Sequence, residues 1–362
     1  MLTSRRQHLP LPLDLLIFDM DGVLIDVSRS YRKTIQTTVH LYLATCLGHR
    51  RRKSPLALAE AISLFKSAGG FNNDWDLTTA LLLYLLSESG LPSSSKRKKF
   101  SSIPETVAFL KAASSPLEGH VVSPFDIPKL SSFLDQVKAS GGGLKGVRRS
   151  LQGSWEGWVY GSGSLDQENL VKRIFQEVYL GERFGSCYPL RRLFYQGRGY
   201  YLQERMLIPR AILSALKKRL RLGIASGRPR FEAELTLKRF RLLSYFSSVI
   251  TLDESLKEQE RVFRATGRAI NFSKPHPYPL LKAVQESGMP HPRCAYVGDV
   301  VDDILAAKAA KRKHPILAVG FGGGRKNTAL EEALVRAGAD LMIRHPRELL
   351  GLVSRSGPPG SC

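Results

Sequence analysis

The sequence predicts an α/β fold, a doubly wound parallel sheet with a mostly helical unit inserted after the first strand. Three observations lead there. Short, nearly continuous apolar runs recur along the chain, as suits strands buried on both faces of a parallel sheet. In the second half these runs alternate with stretches of helical character. Residues 28–205, in contrast, carry helical stretches and few strand signals.

The first apolar run is Leu13 to Phe18, and it ends at Asp19-Met20-Asp21-Gly22, where the glycine permits a tight turn. Further strands are expected at Leu220 to Ala225, Ser248 to Leu252, Cys294 to Val297, Ile316 to Val319 and Asp340 to Ile343. Helices are expected between them at Ala211 to Arg219, Pro229 to Phe240, Tyr278 to Ser287, Asp302 to Lys311 and Asn327 to Ala337, the last stopped by Gly338. Residues 1–27 and 206–350 then form the sheet-bearing core. Within the helical unit, helices are expected at Tyr31 to Leu47, Leu56 to Ser67, Leu77 to Ser89 and Gln167 to Tyr179. Residues 92–164 lose periodicity around Ser93-Ser94-Ser95, Lys96-Arg97-Lys98-Lys99 and Gly141-Gly142-Gly143. They read as a long, low-complexity, partly disordered insertion with short helices such as Ile127 to Ala139. Residues 351–362 read as a disordered tail.

Composition narrows the function classes. A chain of 362 residues with 43% hydrophobic content has room for two domains and a sizeable core. No apolar run approaches the length that spans a bilayer. Prolines 10 and 12 and Asp14 make the N-terminus a poor secretory signal, so a cytoplasmic protein without a membrane partner is expected. Cys46, Cys187, Cys294 and Cys362 form no CxxC pair, which argues against zinc. The net charge of +22 favours anionic ligands. It is equally compatible with nucleic acid or with a solvated basic surface.

The chemistry gathers at strand ends, where open α/β sheets bind ligands. Asp19 and Asp21 stand two apart after the first strand, in Asp19-Met20-Asp21-Gly22-Val23-Leu24-Ile25-Asp26. Ser226 follows the second core strand in Ala225-Ser226-Gly227-Arg228. Lys274-Pro275 precedes a helix, and Gly298-Asp299-Val300-Val301-Asp302-Asp303 follows a third strand. In this order and context the four segments resemble the motifs of the haloacid dehalogenase-like (HAD) hydrolase superfamily. The placement of the helical unit resembles subfamily IA, whose cap lies between the first and second motifs. The resemblance covers residues 13–27 and about 206–345, and implies a Rossmann-like core.

That resemblance implies a Mg²⁺-dependent phosphatase. A phosphomonoester repels anionic nucleophiles, so attack by a carboxylate needs its charge neutralised. Mg²⁺ takes oxygen ligands from a few carboxylates, water and substrate phosphate. Asp19, Asp21 through its backbone carbonyl, Asp299 and Asp303 are the expected metal ligands, with Asp302 a rival to Asp303. Asp19 is the expected nucleophile, and Asp21 the acid and then the base. Lys274 is the expected charge-offsetting cation. Ser226, Gly227 and Arg228 are expected on the phosphate or on a second anionic group of the substrate. In the cap, Asn72, Asn73 and Trp75, within Gly69 to Asp76, are candidate substrate contacts; a turn with a helix N-cap at Asp76 is the competing reading. The second aspartate weighs against carbon–halogen cleavage. The expected partner is a small phosphorylated metabolite. A phosphomutase would share every motif, and the Lys96–Lys99 run leaves a nucleic-acid binder or a phosphatase of nucleic-acid ends as further alternatives.

Overall fold

The computed structural model describes residues 13–49, 57–71, 73–115, 124–323 and 328–353. Strand β1 (Leu15–Phe18) is buried along its whole length, as an uninterrupted apolar run requires in the middle of a sheet. A turn leads to the two-residue strand β2 (Ile25–Asp26). There the chain leaves the core. It divides into two compact units, one within Val27–Glu204 and one formed by the described parts of Met1–Asp26 and Arg205–Cys362.

The first unit is helical: α1 (Tyr31–Leu41), α2 (Leu58–Ala68), α3 (Asp74–Ser87), α4 (Ile103–Ser114), α5 (Ile127–Ala139), α6 (Gly143–Ser150), α7 (Leu170–Leu180) and α8 (Phe184–Cys187). A π-helical turn, Tyr42–Cys46, prolongs α1. Helix α3 is buried continuously from Leu77 to Leu86, because it is apolar on every face. After α8 the backbone is irregular, and one buried carboxylate organises it. Glu177 accepts from the N–H groups of Leu193, Phe194 and Tyr195 at 2.9, 2.7 and 3.2 Å, and from Arg173 Nε at 2.7 Å.

Residues 92–164 differ from their expected partial disorder. Where described, they form three helices, two of them with side-chain N-caps. Ser102 and Asp126 each accept from a backbone N–H three residues on, at α4 and α5. Proline stands in the first turn of both. Each helix buries only a few apolar anchors, such as Leu110, Leu130, Leu134 and Val147, too few for a strong periodic signal. The triple glycine is a turn between packed helices, not a linker. Gly141, Gly142 and Gly143 all have positive φ, and a Cβ on Gly143 would lie 2.5 Å from the carbonyl oxygen of Gly70. Gly143→Ala is therefore expected to destabilise the protein by about 1–3 kcal/mol through backbone strain and overpacking. A thermal or denaturant midpoint equal to that of the parent would contradict this. The Lys96–Lys99 run is also partly packed. Arg97 bonds the Glu156 carboxylate at 2.5 Å and Ser162 Oγ at 2.6 Å, and Lys98 lies over the Phe109 ring.

The chain returns through β3 (Arg205–Met206), which pairs antiparallel with β2. The core then alternates α9 (Arg210–Lys217), β4 (Arg221–Ala225), α10 (Arg230–Arg239), β5 (Ser248–Ile250), α11 (Leu252–Thr266), α12 (Tyr278–Glu286), β6 (Cys294–Gly298), α13 (Val301–Ala310), β7 (Ile316–Phe321), α14 (Thr328–Ala337) and β8 (Leu341–Ile343). The sheet order is β5-β4-β1-β6-β7-β8, with every neighbouring pair parallel. The chain winds outward from β1 to β4 and β5, crosses back to β6 beside β1, and continues to β7 and β8. This reversal opens a crevice at the carboxyl ends of the central strands. Phe18 pairs with Ile224 on one side and Val297 on the other, so Asp19, Ser226 and Asp299 emerge along one edge.

Helix α11 lies outside the expected elements. Only Ser255 in it is buried, so apolar periodicity does not mark it. Its signal is the N-cap, where Glu254 accepts from the N–H and the hydroxyl of Thr251 at 2.8 and 2.7 Å. At the other end, residues 351–353 belong to structure, not to the expected tail. They end a 3₁₀ turn, Pro346–Leu352, with Leu352 and Val353 buried. The rest of that tail, residues 354–362, lies outside the described residues. Among the described residues no helix is long and apolar enough to cross a membrane.

Candidate active site

Asp19 continues β1 by one residue. Its N–H donates to the Val297 carbonyl at 2.8 Å, which fixes the backbone against β6, and its side chain is 9% exposed. The turn that follows closes through Leu24 and Ile25 N–H bonds to the Met20 carbonyl. Gly22 sits in this turn at φ 77°, and a Cβ there would lie 1.9 Å from Asp299 Oδ2. Glycine at this position therefore brings the first and fourth motifs together. Gly298 acts similarly, since a Cβ on it would run into the Asp303 side chain.

Lys274 is buried beside Asp19, just before a cis peptide bond to Pro275. Its ammonium lies 2.9 Å from Asp19 Oδ1 and 2.6 Å from Asp303 Oδ1, and donates to Tyr296 Oη at 2.9 Å. Tyr296 Oη in turn lies 2.9 Å from Asp303 Oδ1 and 3.2 Å from the Ala225 carbonyl. Asp303 is fully buried. Its second oxygen accepts from the N–H groups of Asp299 and Val300 at 3.1 and 3.2 Å, anchoring the start of α13. Burial pushes the Asp19 carboxyl up to about 7; Lys274 opposes that rise, while Asp303 and Asp21 add to it. Burial alone would lower the Lys274 ammonium, but Asp19 and Asp303 outweigh it and hold it above its ordinary range. The Tyr296 hydroxyl is driven far up by burial and by the carboxylates of Asp303 and Asp19.

Oxygens of Asp19, Asp299 and Asp303 all lie within 4.8 Å of one another. Three carboxylates around one lysine leave an excess of negative charge, and an all-oxygen set suits a hard divalent cation such as Mg²⁺. Of the rivals on α13, Asp303 is the one in this cluster. Ser226 lies at the end of β4, 4% exposed, with its N–H bonded to the Ile250 carbonyl. Gly227 follows it, partly exposed.

Arg228 departs from the expectation of a substrate contact. Its side chain is 1% exposed. Nε and Nη2 lie 2.6 and 2.5 Å from Asp21 Oδ1, and Nη1 donates to Thr236 Oγ1 at 2.7 Å. It is a buried partner of Asp21. Tyr296 is a site residue the motifs do not mark; its signal is a polar aromatic inside an otherwise apolar strand just before Gly298-Asp299.

The cap candidates lie in the other unit. Asn73 is the N-cap of α3, accepting from Asp76 N–H at 2.7 Å, so the cap stands three residues before the one expected at Asp76. Trp75 packs edge-on against Phe175, with the Lys172 ammonium 4.4 Å from its ring centre. Asn72 lies outside the described residues.

Residues 186–311, spanning the motifs from Ser226 to Asp303, match the family model for haloacid dehalogenase-like hydrolases. Residues 186–311 thus carry a haloacid dehalogenase-like hydrolase domain. Among curated relatives, a phosphoglycolate phosphatase of Xylella fastidiosa is 31% identical over 127 residues, covering 35% of this chain and 46% of the relative. An imidazoleglycerol-phosphate dehydratase of Phytophthora nicotianae is 25% identical over 301 residues, covering 83% of this chain and 42% of the relative. An N-acetylmuramic acid 6-phosphate phosphatase of Pseudomonas aeruginosa is 32% identical over 87 residues, 24% of this chain and 36% of the relative. The chain thus spans less than half the length of each of these relatives. The solved structure of phosphatase Tt82 from Thermococcus thioreducens shares the fold of this chain. Its TM-score is 0.50 at 22% identity, over 89% of this chain and 99% of that one.

Proposed function

We propose that the protein is a Mg²⁺-dependent phosphatase that hydrolyses a small phosphate monoester through an aspartyl phosphate on Asp19. The observation that carries this reading is the Asp19 carboxylate, 2.9 Å from a buried lysine and clustered with Asp299 and Asp303 at the carboxyl edge of the sheet. Mg²⁺ held by Asp19, Asp299, Asp303 and the Asp21 carbonyl would supply positive charge to the phosphate and the nucleophile. Lys274 holds Asp19 in place and offsets its charge as it approaches phosphorus. Ser226 and the N–H of Gly227 would hold phosphate oxygens. Asp21 gives a proton to the leaving oxygen, then takes one from the attacking water. The two relatives named as phosphatases act on small phosphorylated compounds, and the net charge of +22 favours an anionic substrate.

The test is release of inorganic phosphate from a panel of small phosphate monoesters and an aryl phosphate, with Mg²⁺ and after chelation. Turnover should require Mg²⁺ and return when it is added back. Turnover of no panel member, or turnover unchanged by chelation, would refute the reading.

A further inference from the structure

Arg228 has no part in the chemistry just described, yet it is among the largest fully buried side chains of the described residues. A buried guanidinium is costly without a compensating charge. One acid that meets it is Asp21, whose side chain is 31% exposed and which is 207 residues away in the chain. Two guanidinium nitrogens, at 2.6 and 2.5 Å, converge on the same oxygen of Asp21. The arginine itself is anchored from behind. Nη1 bonds Thr236 on α10 at 2.7 Å, its N–H bonds Ser226 Oγ at 3.3 Å, and its carbonyl accepts from Leu252 N–H at the start of α11 at 2.8 Å. The guanidinium is thus rigidly placed, and it grips an acid that stands on a short turn.

We infer that Arg228 is a positioning residue for Asp21, fixing the direction in which that carboxyl exchanges protons with the reacting groups. The inference rests on the phosphatase reading. In the first step an Asp19 oxygen bonds to phosphorus, the ester P–O bond breaks, and the leaving oxygen keeps its electron pair and takes the proton of Asp21. In the second, Asp21 removes a proton from water as the water oxygen bonds to phosphorus. The bond between Asp19 and phosphorus then breaks, releasing phosphate and restoring the carboxylate. Both transfers depend on where the Asp21 oxygens point, and a misplacement of an ångström in such a group costs on the order of 100-fold. A guanidinium 1% exposed is poorly placed to take up substrate itself.

The experiment is a double-mutant cycle in the full chain with Mg²⁺. Arg228→Gln and Arg228→Lys are each made in the parent and in Asp21→Asn. kcat and KM are measured on an alkyl phosphate, and the pre-steady-state burst on 2,4-dinitrophenyl phosphate, whose leaving group needs no proton. Expected for Arg228→Gln is a loss in kcat on the order of 100-fold on the alkyl ester, with KM little changed and the burst retained. In Asp21→Asn the same substitution should cost no more than about twofold, because the residue it positions is already gone. Equal factors in both backgrounds, or a loss carried by KM, would overturn the inference. Should Arg228→Gln not fold by circular dichroism, Arg228→Lys keeps the charge but loses the fork, and its additivity with Asp21→Asn decides in the same way. If the parent turns over no phosphate ester, the phosphatase reading fails and the inference falls with it. If the parent is active and Asp21→Asn is impaired, that reading stands and additivity judges Arg228 alone.

Discussion

Asp19→Asn is expected to abolish turnover of phosphate esters, with a loss on the order of 10³-fold or more, the scale reached when a covalent nucleophile is removed. An amide oxygen is a poor nucleophile and carries no charge for a cation to hold, so both the phosphoenzyme and tight Mg²⁺ binding should be lost. The fold should survive. Asp19 is almost fully buried among carboxylates, and burial has pushed its carboxyl up to about 7, so the ionised form is held at a cost in free energy. Asparagine has nearly the same shape and removes that cost. Lys274 keeps Asp303 as its counter-charge, 2.6 Å away. Without divalent cation, the substituted protein should therefore unfold at the same temperature as the parent or a higher one. Activity comparable to the parent would remove Asp19 from the role of nucleophile. A collapse in stability with no native circular dichroism would show instead that the carboxylate is needed for folding.

Lys274→Met is expected to lower both stability and activity, and the loss of stability is the more telling result. Methionine roughly fills the volume of the lysine but carries no charge. The carboxylates of Asp19 and Asp303, on side chains 9% and 0% exposed, would then face each other without a cation. Breaking a buried ion pair by removing one partner costs about 3–5 kcal/mol, chiefly because the other charge is left uncompensated. The penalty should shrink when Mg²⁺ is present, since the cation restores positive charge between the same oxygens. It should shrink also in Lys274→Met/Asp303→Asn, which removes one of the stranded charges. Activity should not return in that double variant, because the charge beside Asp19 is still missing. Thermal unfolding with and without Mg²⁺ measures all of this. A midpoint for Lys274→Met that matches the parent, with no response to Mg²⁺, would show that the lysine does not balance these carboxylates.

Much of the core was legible in the chain. Strands such as Arg221–Ala225 and Cys294–Gly298 are continuous apolar runs, and nothing but a buried sheet accommodates them in succession. Helix α14 carries a clear stop residue, Gly338, at φ 97°. Where packing or capping replaced periodicity, legibility failed. Helix α11 buries only Ser255 and is marked by the cap of Thr251 and Glu254. The three helices between residues 92 and 164 rest on a few anchors each. Gly143 shows its purpose only against Gly70, 73 positions earlier in the sequence.

The sequence by itself determined the order of motifs, the strand ends that carry them and the residue types available there. These depend on local properties: apolar runs two-sided in burial, a glycine that tolerates positive φ at position 22, and acids placed just beyond a strand. Only the tertiary structure decided which side chains meet. It put Lys274 between Asp19 and Asp303, drew Tyr296 into that group, and brought Asp303, not Asp302, into the carboxylate cluster. It also turned Arg228 away from an expected place on the substrate and onto Asp21. The reason is physical. Position along a strand or helix follows from short-range geometry, whereas the partner of a buried charge is set by whichever opposite charge the fold brings within about 3 Å. For Arg228 one such partner, Asp21, lies 207 residues away.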